Sequence, residues 1–123
     1  MAAAEVGDDV YGDDPTVNRL QDLAAEKLDM DAGLFVTSGT QGNLVSMLSH
    51  CQRGDAVALG EMSHIYNAEA GGTSVLGGIA MRVLPNEKSG VISAEAIRAA
   101  GAPGDYHKSP VKVLAIENTQ NGA

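Results

Sequence analysis

The sequence is poor in aromatic residues and in cysteine. Its 123 residues include one Phe, three Tyr and no Trp, so aromatic residues make up only 3% of the chain. A core must therefore be built from Ala, Val, Leu, Ile and Met, which suits helices packed on a sheet better than two packed sheets. The single cysteine, Cys51, excludes an internal disulfide, and its place on an apolar helical stripe predicts a buried packing role.

Basic residues are scarce as well. Eight Lys and Arg oppose sixteen Asp and Glu, which gives a formal net charge of −8. The acidic excess is concentrated in residues 1–31, with nine acids and two bases, whereas residues 32–123 carry seven acids and six bases. Because an acidic chain without a basic stripe repels phosphate backbones, we expect no nucleic-acid partner. The aspartates of residues 8–14 lack the spacing of a calcium-binding loop, so we expect no metal site.

Long apolar runs are also missing. No run approaches the length of a membrane span, and residues 1–5 do not resemble a signal peptide. We therefore expect no membrane partner and a cytoplasmic protein. Apolar residues still make up 44% of the chain, which is enough for a globular domain with a modest core.

The most informative segment present is Thr37–Asn43, with the sequence Thr-Ser-Gly-Thr-Gln-Gly-Asn. An apolar run at residues 34–36 precedes it, and a helical apolar pattern follows it. A strand that turns directly into a helix leaves free backbone N–H groups and the positive end of a helix dipole at one place. This pattern predicts a phosphate site at Ser38, Gly39 and Thr40. An ordinary turn with a helix cap is the alternative, since the segment is neither a Walker loop nor G-x-G-x-x-G.

Apolar periodicity and turn residues predict an alternation of strands and helices along the chain. Such an alternation favours an α/β fold with a mostly parallel sheet, in which ligands bind at the carboxyl ends of the strands. Three polar segments follow predicted strands and are therefore candidate sites: Ser38–Thr40, Glu61–His64 and Glu117–Asn121. The predicted strands are 33–37, 56–59, 81–84 and 111–116; the predicted helices are 15–28, 40–51, 64–76 with a weak point at Gly71–Gly72, and one from Ser93 to about Gly101.

Four motifs are distinctive: VGDDVYGDDPTVN at residues 6–18, SGTQGN at residues 38–43, HIYNAEAGG at residues 64–72 and ENT at residues 117–119. They resemble the GDDVYGxDPTVN segment, the loop for the cofactor phosphate, the HxxxxEAGG segment and the ENT segment of the low-specificity L-threonine aldolases, which are pyridoxal-phosphate enzymes of the aspartate-aminotransferase-like group (fold type I). Their order and spacing agree over about residues 5–121.

The resemblance implies that residues 1–123 form a three-layer α/β fragment of the large domain of such an enzyme. Residues 1–31 would be an acidic N-terminal segment and helix, and residues 32–123 the start of the cofactor-binding sheet. The implied activity is cleavage of L-threonine or L-allo-threonine to glycine and an aldehyde, in threonine catabolism and glycine biosynthesis. The implied full-length assembly is a homodimer or homotetramer.

The resemblance also implies roles for particular residues. Pyridoxal phosphate would be held through its phosphate by Ser38, Gly39 and Thr40. His64 would stack on the pyridine ring as a catalytic residue, and Glu117 would lie beside the cofactor. The substrate pocket would include Tyr11 and Gln120.

Taken alone, three of these motif residues predict ordinary structural roles. His64 is then a surface or capped loop histidine, Tyr11 a turn residue packed on the surface, and Glu69 a solvated helix carboxylate. Two further positions depart from the family pattern. Gln120 stands where many members have His, and Ala68 stands where many have an aromatic residue.

The family's Schiff-base lysine is expected beyond residue 123, with the aspartate facing the pyridine nitrogen and the arginine that binds the substrate carboxylate. None of the four lysines present, Lys27, Lys88, Lys108 and Lys112, has the family's lysine context. Two alternatives to an aldolase stay open. One is another fold type I enzyme, such as a β-eliminating lyase, and the other is a noncatalytic remnant.

Overall fold

The computed structural model of the chain describes residues 3–102 and 105–122. The contacts between residues divide the chain into two compact units, Met1–Thr37 and Ser38–Ala123. We call them the N-terminal unit and the sheet unit.

The N-terminal unit contains a short 3₁₀ helix, Asp9–Tyr11, and helix α1, Pro15–Leu28. Helix α1 begins where the sequence predicts, because Pro15 suits the first helical position and Asp14 caps it. The Asp14 carboxylate accepts hydrogen bonds of 2.9 Å from the backbone N–H groups of both Thr16 and Val17. The helix ends at Leu28, because the next residue, Asp29, has a left-handed φ of 53° that cannot continue a right-handed helix.

The predicted strand 33–37 is wrong, because the structure assigns no strand to these residues. The segment instead lies against helix α1. The Phe35 N–H donates to Gln21 Oε1 at 2.8 Å, and an added Cβ at Gly33 would come within 2.7 Å of the Gln21 carbonyl oxygen. A strand needs a neighbouring strand for its backbone hydrogen bonds, and here a helix side chain meets part of that need.

The sheet unit is built on three parallel strands: β1, Ala56–Gly60; β2, Ala80–Leu84; and β3, Val111–Ala115. Their order is β2-β1-β3, so the first strand in sequence is the central one. Both of its neighbours run parallel to it. The predicted α/β class with a parallel sheet is confirmed, and the three predicted strands agree with the observed ones within one residue at each end.

The described residues of the sheet unit also form four helices: α2, Gly39–His50; α3, His64–Asn67; α4, Gly72–Gly77; and α5, Ala94–Gly101. Helix α2 precedes β1, α3 and α4 lie between β1 and β2, and α5 lies between β2 and β3. The prediction of one helix over 64–76 is wrong. The chain leaves helical geometry between α3 and α4, where Ala70 and Gly71 have φ of 51° and 69°. Residues in the left-handed region cannot continue a right-handed helix, so the weak point predicted at Gly71–Gly72 is a complete break.

The core of the sheet unit lies around strand β1, all five residues of which are buried. Cys51 is part of this core, as its place on the helical stripe predicts, and burial raises the pKa of its thiol, with a further contribution from the Asp55 carboxylate. The core cluster consists of Met47, Cys51, Val57, Leu59, Ile65 and Ile79.

We expect Leu59→Ala to destabilise the sheet unit much more than Leu76→Ala. Leu59 is fully buried in the central strand, and its truncation leaves a cavity that costs about 2–5 kcal/mol. Leu76 is 60% exposed on helix α4, so its truncation should change stability by about 0.5 kcal/mol or less. Urea unfolding of both variants measures the difference, and equal losses would contradict the observed core.

We also expect Asp14→Ala to destabilise helix α1 in a pH-dependent way. Backbone N–H groups of Val17, Gly7 and Thr16 hold the pKa of Asp14 below its ordinary value of 3.8. The cap therefore stabilises the folded chain fully above the ordinary value, and this contribution declines below it and is lost as the pH falls through the lower pKa of the folded state. Thermal unfolding followed by circular dichroism gives the melting temperatures of the variant and the wild type. The difference between the two should be smaller at about pH 3 than at neutral pH. Asp22→Ala, in the middle of α1, serves as the control and should show a smaller difference from the wild type.

Candidate active site

One cavity at the carboxyl ends of strands β1 and β3 brings together three separate parts of the sheet unit. Its volume is about 440 Å³, within the range of small-molecule sites. The start of α2, the start of α3 and the residues at the end of β3 all contribute to its wall. The lining residues are Gly39, Thr40, Asn43, Ser63, His64, Ile65, Ala115, Ile116 and Glu117.

The start of helix α2 supplies backbone donors to this cavity. Ser38 is the N-cap residue, and its Oγ accepts a hydrogen bond of 3.1 Å from the Gln41 N–H. Gly39 and Thr40 are the first two helical residues, as the sequence predicts within one residue, and N–H groups at these positions have no intrahelical partner. They are therefore suited to an anionic ligand, and the helix dipole favours negative charge at the same place. Ser38 itself caps the helix and is not among the lining residues.

The start of helix α3 places His64 in the wall of the cavity. The backbone N–H of His64 donates to Glu117 Oε2 at 2.7 Å, which joins residues 53 positions apart in the sequence. The His64 side chain is 42% exposed, so its imidazole is accessible from the cavity. His64, Glu117, Gly39 and Thr40, four of the residues that the resemblance assigns to the cofactor, are thus lining residues of one cavity.

The buried carboxylate of Glu69 contacts the imidazole ring of His64. The Glu69 side chain is only 2% exposed, and its Oε1 lies 2.8 Å from His64 Nδ1. The same oxygen accepts a hydrogen bond of 2.6 Å from Asn43 Nδ2. The interpretation of Glu69 as a solvated helix carboxylate is therefore wrong. Its position five residues after His64 signalled a motif but not this contact, because the contact depends on the break between α3 and α4.

Of the two predicted substrate-pocket residues, Gln120 belongs to the sheet unit and Tyr11 to the N-terminal unit. Gln120 lines a neighbouring cavity of about 530 Å³, which shares four lining residues with the first: Ser63, Ala115, Ile116 and Glu117. Its side-chain amide is engaged by the backbone, since Nε2 donates to the Met62 carbonyl oxygen at 2.7 Å and Oε1 accepts from the Gly122 N–H at 2.5 Å. Tyr11 is 78% exposed in the N-terminal unit. The substrate contacts of both residues stay predictions.

The described part of the chain contains neither a membrane-spanning helix nor a group of side chains that could hold a metal ion. Within residues 3–102 and 105–122, no helix has both the length and the apolar character needed to cross a membrane. The same ranges bring no three His, Cys, Asp or Glu side chains together in a way that could hold a metal ion. Asp8 and Asp14, two of the aspartates considered as ligands, instead accept hydrogen bonds from nearby backbone N–H groups.

Comparison with known proteins gives consistent matches over the whole sequence. A family model described as beta-eliminating lyase matches residues 1–123. The low specificity L-threonine aldolase of Escherichia coli strain K12 is 48% identical over 122 residues, covering 99% of this chain and 37% of that protein. The probable low-specificity L-threonine aldolase 2 of Arabidopsis thaliana is 49% identical over 123 residues, covering 98% and 35%.

A more distant match is the low specificity L-threonine aldolase of Saccharomyces cerevisiae, which is 31% identical over 123 residues, covering 97% of this chain and 32% of that protein. The chain therefore spans only about a third of the length of these curated relatives.

Proposed function

The chain belongs to the beta-eliminating lyase family, and we propose that the protein carrying it is a pyridoxal-phosphate-dependent aldolase. Its substrates would be β-hydroxy-α-amino acids such as L-threonine and L-allo-threonine, cleaved to glycine and an aldehyde. The observation that carries this proposal is the cavity in which the start of helix α2, His64 and Glu117 meet. The names of the relatives support the same activity.

The residues of this cavity fit the two chemically distinct parts of pyridoxal phosphate. The backbone N–H groups of Gly39 and Thr40 suit its phosphate, and the Thr40 hydroxyl adds a donor. A Cβ added at Gly39 would meet nothing within 4 Å, so the approach to the helix start is open. The accessible imidazole of His64 suits the flat pyridine ring. When bound, this cofactor accepts the electron pair that bond cleavage releases.

The chain's own residues would orient the reactants and move a proton. His64 would hold the plane of the pyridine ring, which matters because cleavage requires the breaking bond to be aligned with that ring. A histidine can also take or return a proton near neutral pH, and the substrate's β-hydroxyl must lose one. The Glu117 carboxylate would help to fix the position of His64 by accepting a hydrogen bond from the His64 backbone N–H. We propose Ser38 as a further contact to the phosphate, and Tyr11 and Gln120 as contacts to the substrate.

Other properties of the whole protein are inferred from the family resemblance. Among the described residues that line the cavity, none is a lysine. We therefore propose that the family's covalent lysine is supplied from outside this part of the chain. We also propose a homodimeric or homotetrameric assembly in the cytoplasm.

A β-eliminating lyase is the second candidate, because the matching family model carries that description. The two reactions leave different products from amino acids. Aldol cleavage of threonine yields glycine and acetaldehyde, whereas β-elimination followed by hydrolysis yields ammonia and a 2-oxo acid. Product analysis after incubation with L-threonine and L-serine distinguishes them, and ammonia release without glycine would favour the second candidate.

We expect Thr40→Ala to weaken the binding of pyridoxal phosphate by about 10- to 100-fold, since a hydrogen bond to a charged group contributes roughly 1.5–3 kcal/mol. Binding of pyridoxal, which has no phosphate, should change little. Titration calorimetry with both ligands measures the difference. Ser49→Ala, on the exposed far end of the same helix, is the matched control. Equal weakening for both ligands would show that Thr40 does not face the phosphate.

We expect His64→Ala to impair aldol cleavage more than Gln120→Ala in the protein that carries this chain. General acid–base groups typically contribute about 100-fold or more, whereas a neutral hydrogen bond contributes about 0.5–1.5 kcal/mol. Glutamine cannot take a proton at neutral pH, so its loss should affect positioning alone. The measurement is kcat/KM for L-threonine and L-allo-threonine. A larger loss at Gln120 would mean that the catalytic role of His64 has been misassigned.

A further inference from the structure

Glu69 and His64 form a contact that the proposed function does not explain. Glu69 lies in the break between α3 and α4, and its carboxylate is almost completely removed from solvent. Burying a carboxylate is costly unless hydrogen bonds compensate for the lost water. Two donors are in place, because Asn43 Nδ2 and His64 Nδ1 lie 2.6 and 2.8 Å from the same oxygen, Oε1.

The chemistry of the three groups fixes the direction of these hydrogen bonds. A carboxylate has no hydrogen to donate, and the amide nitrogen of Asn43 has no lone pair to accept with. Oε1 must therefore accept from both partners. It follows that the Nδ1 atom of His64 carries a proton, and that the neutral imidazole has its lone pair on Nε2.

We propose that Glu69 is a positioning residue that holds His64 in the Nδ1–H tautomer and makes Nε2 the atom that exchanges a proton with a bound substrate. The tautomer follows from these contacts with the ionised Glu69 carboxylate, and the proton exchange rests on the proposed function. Two carboxylates then act on one histidine in different ways. Glu117 holds the backbone N–H of His64, whereas Glu69 orients its ring.

The surroundings of Glu69 suit a positioning role. Asn43 belongs to helix α2, so the hydrogen bond it gives to Glu69 ties the ring of His64 to the helix whose start faces the cavity. Ala70, the next residue in the chain, has a φ of 51°, a conformation that residues other than glycine seldom adopt. The backbone thus adopts an unfavourable conformation directly beside the buried carboxylate.

The first test is the tautomer itself, measured by long-range ¹H–¹⁵N correlation spectra of the histidine rings. At about pH 9, where ordinary histidines are neutral, His64 should show a protonated Nδ1 and an unprotonated Nε2. Glu69→Met removes the acceptor at similar length, and the Nε2–H tautomer should then increase. Glu87→Met replaces an exposed glutamate and should leave the His64 spectrum unchanged.

A protonated Nε2 in the wild-type chain would overturn the proposal. If Glu69→Met does not fold, the wild-type spectrum alone decides. If Glu69→Met folds and the His64 nitrogen shifts do not change, the proposal is also overturned.

The second test asks whether Glu69 acts through His64 in catalysis. In the protein that carries this chain, Glu69→Met should lower kcat for L-threonine cleavage by about tenfold or more, since the wrong tautomer cannot accept the proton. KM should change by less than about threefold, because the effect lies in the chemical step. In a His64→Ala background, Glu69→Met should change kcat by less than about twofold.

Additive losses in kcat would mean that Glu69 acts independently of His64 and would overturn the positioning role. A wild-type protein that does not cleave threonine would refute the proposed function. The tautomer measurement does not depend on activity, so the failure of one proposal can be told from the failure of the other.

Discussion

The parallel pairing of strand β1 with both of its neighbours is the constraint on which the rest of the structure depends. All of β1 is buried, and its two ladders hold β2 and β3 in register over most of their length. Because the three strands point the same way, the chain leaves β1 and β3 at one edge of the sheet. His64 and Glu117 are far apart in the sequence, yet at this edge the His64 backbone nitrogen lies 2.7 Å from Glu117 Oε2.

Hydrogen bonds to side chains fix the positions of the residues at that edge of the sheet. Two of the elements around it are too short to hold a geometry alone, since α3 has four residues and α4 has six. Helices of this length have little intrinsic stability in water. Glu117 accepts a hydrogen bond from the backbone N–H of His64, the first residue of α3. In the break that follows, the Glu69 carboxylate is hydrogen-bonded to the side chains of Asn43 and His64. The orientation of His64 is thus set by carboxylates from two different segments rather than by its own helix.

The sequence predicts best those elements whose signals are local. The starts of α1, α2 and α5 are predicted within one residue, because the capping side chains of Asp14, Ser38 and Ser93 each accept a hydrogen bond from a backbone N–H two or three residues later. Strands β1 to β3 are predicted from the sequence because each is a short apolar run between turn residues. Residues 33–37 have the same apolar signal, but a run cannot show whether a neighbouring strand is available to pair with it. The burial of Glu69 could not be predicted from the sequence either, because its hydrogen-bond partners, Asn43 and His64, belong to other segments of the chain.

The charges of the sheet unit are arranged so that a phosphate could approach despite the acidic composition of the chain. Most of the net charge of −8 arises from residues 1–31, and residues 32–123 carry a net charge of only −1. Two carboxylates stand close to the cavity, and both are engaged by donors: Glu69 by two side chains and Glu117 by a backbone N–H. Within the sheet unit, acids and bases nearly balance, so the backbone donors at the start of α2 face little repulsive charge from their own unit. The proposed anion binding at this edge therefore rests on the start of α2 and on the hydrogen bonds that engage the two neighbouring carboxylates.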